Sequence, residues 1–153
     1  MDPEFAEHVE ALHGKFEQLR AMQPLTADTL PRMLPLAGVY LFTENGKHLY
    51  VGRSRHIRRR YGRHTNPGSG QNSAAFAMAL AIEKDKLRPE YEKGTRRGLK
   101  ENTAFCKIFA LQKARIRLMD FRCVEEAHPV RQTLLEVYCA ITLRTRYNDF
   151  GTH

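Results

Sequence analysis

Cysteine is scarce and scattered in this chain. Cys106, Cys123 and Cys139 are an odd number, widely spaced and without a CxxC pair. That argues against a disulfide framework or zinc ligands and for reduced core thiols in a cytoplasmic protein. Long apolar runs are also missing: none approaches the ~20 residues that a membrane-spanning helix needs. The N-terminus is polar and acidic, so it lacks the pattern of a secretion signal, and Met1 to Phe5 reads as a leader. No internal repeat or low-complexity segment is present. Acidic residues are in deficit, 17 Asp and Glu against 25 Lys and Arg, which leaves a net charge of +8. Such a balance favours a polyanionic partner. With 153 residues and an ordinary apolar fraction of 42%, the chain can fold around one core.

What is present concentrates in one stretch, Gly38 to His64. Val39 and Leu41, with Leu36 before them, alternate with other residues. Asn45-Gly46 then supplies a turn, and Leu49 and Val51 resume the alternation. Asn-Gly between two alternating runs signals a hairpin, because both turn positions accept positive φ. The period then lengthens toward that of a helix, with Ser54 as its cap and Ile57 and Tyr61 as its buried stripe. Six arginines fall between Arg53 and Arg63 with no acid among them. His56, Arg60 and His64 recur at i, i+4, i+8 and are expected along one polar side.

Gly38-Val39-Tyr40, nine residues, then Tyr50-Val51-Gly52 resembles the signature of the GIY-YIG nucleases. Arg60, eight residues after Gly52, and His64, one turn later, match that family's helix pattern. Glu136 and Asn148, twelve residues apart, match its later glutamate and asparagine. Histidine at 64, where other members carry tyrosine, resembles the small type II restriction enzymes of the family. The resemblance covers roughly Leu36 to Phe150. It implies an α/β (α+β) fold with a small three-stranded antiparallel sheet flanked by helices.

The rest of the chain reads as follows. Residues 1–35 form an N-terminal helix and linker, and 36–153 the nuclease-like domain. Phe5, Val9, Leu12, Phe16 and Leu19 follow helical spacing up to Met22, either to pack on the core or to form a partner interface. Pro24, Pro31 and Pro35 mark a linker. Thr65 to Asn72 is loop, and Ser73 to Lys86 is helix, packing around Phe76, Leu80 and Ile82. Leu87 to Lys100 is a charged surface segment, either contacting DNA or simply solvated. Glu101 to Lys113 fits helix or strand. Ile116 to Val124 reads as the third strand. Pro129 opens a helix to about Leu143 with a stripe of Val130, Leu134, Val137, Tyr138 and Ile141, and Arg144 and Arg146 suit its C-terminal end.

The resemblance implies a metal-dependent DNA endonuclease that hydrolyses phosphodiester bonds, in duplex DNA at a short sequence or structure. A structure-selective repair or recombination nuclease and a non-catalytic nucleic-acid-binding module are the alternatives. Glu136, set among apolar neighbours, is the expected ligand of one Mg²⁺, which Mn²⁺ can replace. Arg60 is expected to grip the scissile phosphate. Tyr40 is the implied general base and Tyr50 holds phosphate or water. His64 orients Tyr40, donates to phosphate, or acts as a base itself through an ordinary imidazole pKa. Asn148 fixes the glutamate or a loop, or simply caps a helix end. Arg53, Arg55, Arg58, Arg59 and Arg63 are the expected nucleic-acid contacts. Double-strand cutting calls for a homodimer or two binding events, with the N-terminal helix as the candidate dimer contact.

Overall fold

A computed structural model describes residues 1–70, 74–85 and 103–151. The expected charged segment Leu87 to Lys100 lies outside the described residues. The chain divides into two compact units, Met1–Arg59 with Met119–His153, and Arg60–Leu118. Among the described residues no helix is long and apolar enough to cross a membrane.

The first unit is built on a three-stranded antiparallel sheet in the order β2-β1-β3, with β1 Gly38–Glu44, β2 Lys47–Ser54 and β3 Asp120–Glu125. Asn45 and Gly46 close the β1–β2 hairpin with φ of 50° and 76°, the positive pair that this tight turn demands. Strand β1 is buried on both faces over Gly38 to Thr43, as its central position requires. Tyr40 lies opposite Gly52, Phe42 opposite Tyr50 and Phe121, and Val39 opposite Arg53 and Val124. Successive residues face opposite sides, so Tyr40, Phe42, Tyr50 and Phe121 share one face and Val39, Leu41, Val51 and Val124 the other.

That second face is covered by helix α2, Leu12–Ala21, and by the helix α6, Pro129–Leu143, through Leu12, Phe16, Leu19, Leu135 and Cys139. The N-terminal pattern is thus two helices, α1 Pro3–Glu10 and α2, and α2 spends its apolar stripe on the core of its own unit. Pro3 already lies in α1, and the Asp2 carboxylate caps that helix by accepting from Phe5 N at 3.0 Å. Cys123 and Cys139 are buried thiols, pushed by burial up to about 11 and about 12, and Cys106 is exposed; none forms a disulfide.

Both sheet edges are closed. Leu25 and Phe121 exchange backbone bonds at 2.8 and 2.7 Å, so the proline-rich linker covers β3. On the other edge, Tyr147 N donates to Leu49 O at 3.1 Å and Asn148 binds Val51. Unprotected edges invite pairing with foreign strands, and neither edge here is left open.

Three expectations for this part of the chain need correction. The third strand starts at Asp120, and Ile116 is instead the last buried position of a helix, with Leu118 83% exposed beyond it. On α6 the expected Leu134 and Tyr138 do pack against the core, but its fully buried positions are Gln132, Leu135, Cys139 and Ala140, while Val130 and Ile141 face solvent. Gln132 tolerates burial because its amide donates to Glu126 O at 2.6 Å. Ser54 accepts from His56 N at 2.9 Å in a turn just ahead of helix α3, Ile57–Thr65, rather than capping the helix itself.

The second unit contains the rest of α3, then α4 Ala75–Asp85 and α5 Thr103–Arg117, which settles the ambiguous Glu101 to Lys113 stretch as helix from Thr103. Phe76, Leu80, Phe105 and Phe109 are buried, whereas Ile82 is exposed and Ala77, Met78 and Ala81 are buried in its stead. Lys113 is buried over the Phe109 ring and donates to the carbonyls of Pro67 and Ser69 at 2.6 and 2.8 Å. Burial lowers its pKa, and those carbonyls tie the 66–70 loop to α5.

Candidate active site

Tyr40 stands at the centre of β1 with 1% of its surface exposed. Its ring stacks on Phe121 and meets Phe42 edge-on, each at 5.8 Å between centroids. Tyr50 lies on the same face with its ring 6.4 Å from that of Tyr40. Gly52 makes this arrangement possible: a Cβ there would sit 2.2 Å from the Tyr40 hydroxyl and 2.3 Å from Cζ. Gly38 meets a similar demand, since its Cβ would fall 1.9 Å from the Val124 carbonyl oxygen. The glycines of the GVY and YVG segments are therefore steric requirements of the hairpin, and sequence spacing alone does not reveal that Gly52 serves Tyr40.

Arg53 faces the α6 side of the sheet, and there its Nε donates to Glu136 Oε2 at 3.0 Å. The carboxylate is 19% exposed and the guanidinium 46%, so the pair is open to exchange with solvent and ligands. The structure thus brings Tyr40 together with Tyr50, and Arg53 together with Glu136. Among the described residues no group of three or more His, Cys, Asp or Glu is gathered as a metal cluster. A single partly exposed carboxylate is a donor set that suits a hard divalent cation, which takes one or two carboxylates and fills its other positions with water and phosphate oxygens.

Asn148 does not touch Glu136 through any hydrogen bond seen here. Its Nδ2 donates to Val51 O at 2.7 Å, and its Oδ1 accepts from Val51 N at 2.9 Å and from Thr145 Oγ1 at 2.8 Å. The amide imitates a neighbouring strand and fixes β2 at the residue after Tyr50. Asn148→Ala removes three hydrogen bonds and leaves part-buried backbone groups unmet. It is expected to destabilise the protein by about 2 kcal/mol in urea unfolding and to speed exchange of the Val51 amide hydrogen.

On α3, Arg55 just before it and Arg58 and Arg59 within it are exposed, and Arg60 and Arg63 are half-buried. His64 is fully buried, which corrects its expected place on the polar side. A row of i, i+4, i+8 positions drifts by about 40° per step around a helix, so it starts at exposed His56, passes half-buried Arg60 and ends inside at His64. Burial first, and the Arg60 charge second, pull the His64 pKa down to about 3. A neutral imidazole at physiological pH can still orient a neighbour by hydrogen bonding.

The unfolded chain takes up a proton on His64 below pH 6.5 that the folded chain refuses until about pH 3. Stability is therefore fully present above 6.5 and drains away as pH falls through that window, with a slope of up to about 1.4 kcal/mol per pH unit. Replacing His64 with Gln is expected to flatten this part of the pH profile of urea-unfolding free energy.

A GVY and YVG hairpin whose glycines admit a buried tyrosine leads directly into an arginine-rich helix. Residues 36–125, more than half of the chain, match the model of the GIY-YIG catalytic domain, and the chain belongs to that family of nucleases. The match includes Tyr40, Tyr50, Arg60 and His64 and stops before Glu136 and Asn148. No curated protein and no solved structure is significantly similar to the chain.

Proposed function

We propose that this nuclease is a Mg²⁺-dependent endonuclease that cuts duplex DNA at a short sequence or structure. The observation that carries DNA as substrate is the exposed cationic row Arg55, Arg58 and Arg59, with no acid between Arg53 and Arg63 to neutralise it. Each phosphate such a row engages releases counterions, so affinity falls steeply with salt.

In this reading Arg60 binds the scissile phosphate, because a permanently charged planar fork matches phosphate oxygens. Tyr40, acting as the phenolate, takes the proton of the attacking water, and Tyr50 holds that water or the phosphate by its hydroxyl. The water oxygen bonds to phosphorus, the bond to the 3′ oxygen breaks, and that oxygen takes a proton from solvent water to leave as a hydroxyl. Glu136 would hold Mg²⁺, with Mn²⁺ able to substitute; when bound, the ion supplies Lewis-acid neutralisation of the charge on the leaving oxygen. Arg53 then gives up Glu136 and turns to the DNA backbone beside Arg63. Neutral His64 orients its neighbours by hydrogen bonding, and Asn148 keeps β2, and so Tyr50, in place.

Plasmid cleavage tests the proposal. Supercoiled DNA is expected to give discrete fragments with Mg²⁺ or Mn²⁺ and none with EDTA. Cleavage that persists in EDTA overturns the metal role. Salt-sensitive binding without cleavage under any divalent ion overturns the catalytic reading in favour of a binding module. Light scattering with and without DNA separates a dimer from two successive bindings by a monomer.

A further inference from the structure

Ahead of β1, the linker from Pro31 to Leu36 arches over the first turn of α3. It is pinned at one end by Ile57 N, which donates to Leu36 O at 2.9 Å, and at the other by the Arg58 guanidinium, which donates to the Pro31 carbonyl. Between them lies a cleft of about 400 Å³. Met33, Leu34, Pro35 and Leu36 supply apolar surface to it and Arg32, Arg58 and Arg59 supply charge; among the described residues no carboxylate lines it. Its volume falls in the range of about 300–1,000 Å³ of sites that enclose small organic ligands.

The two halves of this lining ask for different things of one occupant. Three guanidinium groups, with no acid beside them among the described residues, call for an anion, and for a phosphate in particular. Phosphate alone does not account for Met33 and Leu36, which are 82% and 68% exposed beside those charges. A surface that only tracks a DNA backbone gains nothing from displaying thioether and isobutyl groups. A nucleotide satisfies both demands, with its base laid on the apolar side chains and guanidinium planes and its phosphate held at the rim. A base paired within a duplex cannot reach such a cleft, because its faces are covered by its neighbours in the stack.

Resting on the reading of the protein as a DNA endonuclease, we infer that the cleft between the Pro31–Leu36 linker and α3 receives one unpaired nucleotide of the substrate. The nuclease thereby prefers duplex DNA that carries an extruded or looped-out base close to the strand it cuts. The linker is then a specificity element, and residues outside the hairpin and α6 decide which DNA is engaged.

The test uses fluorescence anisotropy in EDTA, so that nothing is cut, with two labelled duplexes of one sequence, one fully paired and one with a single unpaired nucleotide at its centre. The wild-type protein is expected to bind the second about tenfold tighter, the contribution of one stacked base. The double variant Met33→Gln/Leu36→Gln alters only exposed side chains without changing charge. It is expected to abolish that preference while its affinity for the paired duplex stays within about twofold of wild type. Equal binding of both duplexes by the wild type, or a preference that survives the double variant, overturns the inference and leaves the endonuclease reading standing. Failure to bind either duplex overturns that reading as well. Binding to phosphatidylglycerol vesicles that the double variant loses, with no preference between the DNAs, overturns the inference in favour of a membrane-facing cleft.

Discussion

Glu136→Ala is expected to reduce DNA cleavage on the order of 10³-fold or more, the scale of losing an electrostatic stabiliser of the transition state. It is expected to leave both the fold and DNA binding nearly untouched, and that combination makes the result informative. The carboxylate makes an ion pair with Arg53 in which the partner is 46% exposed. Such a pair contributes at most about 1 kcal/mol, and the guanidinium left behind remains hydrated. Removing a negative charge from a site that faces DNA also leaves affinity unchanged or slightly raised. Single-turnover cleavage beside anisotropy binding and urea unfolding reads all three quantities. A variant that cuts at the wild-type rate with Mg²⁺ removes Glu136 from the metal site, and one that unfolds shows that the glutamate serves the fold.

Gly52→Ala is expected to destroy activity by a different route. The new methyl group would lie 2.2 Å from the Tyr40 hydroxyl, far inside contact distance. The ring cannot swing away freely, because Phe42 and Phe121 hold it on the sheet face at 5.8 Å. Either β2 moves out or Tyr40 is driven off its rotamer, at about 1–3 kcal/mol. Both outcomes misplace a side chain proposed to touch the attacking water, so cleavage should fall about 10²-fold or more. The coupling is measurable. In a Tyr40→Leu background the same alanine meets no ring, and its cost in urea unfolding should largely vanish. An equal cost in both backgrounds would show that Gly52 answers to its own backbone rather than to Tyr40.

The hairpin was legible because its signals are local. Asn45-Gly46 names the turn, and the glycines at 38 and 52 sit where the register brings backbone or ring close. The misread elements are those where tertiary contacts overrule polarity. Ile116 and Leu118 alternate like a strand, yet Ile116 is the buried end of α5 and Leu118 lies in solvent. On α6 a glutamine is buried and an isoleucine exposed, because Glu126 offers Gln132 a carbonyl. His64 looked polar by residue type, but the drift of its helical row carries it inside. Asn148 was found by its distance from Glu136, while its two bonds to Val51 depend on a fold that spacing does not encode.

The separation of Asn148 from the strand it holds has a consequence for assembly. The β1–β2 pairing can form as soon as its turn exists, since that pairing is local. The outer edge of the hairpin is clamped by Tyr147 and Asn148, the latter 97 positions downstream of the Val51 it binds, and β1 meets β3 only once residues 120–125 are available. Bringing such distant segments together costs loop-closure entropy and is slow compared with hairpin formation. Tyr50 therefore starts out on a loose ribbon and gains its fixed orientation only once Asn148 and β3 have docked. Until then the chain carries the tyrosine without the geometry that positions it.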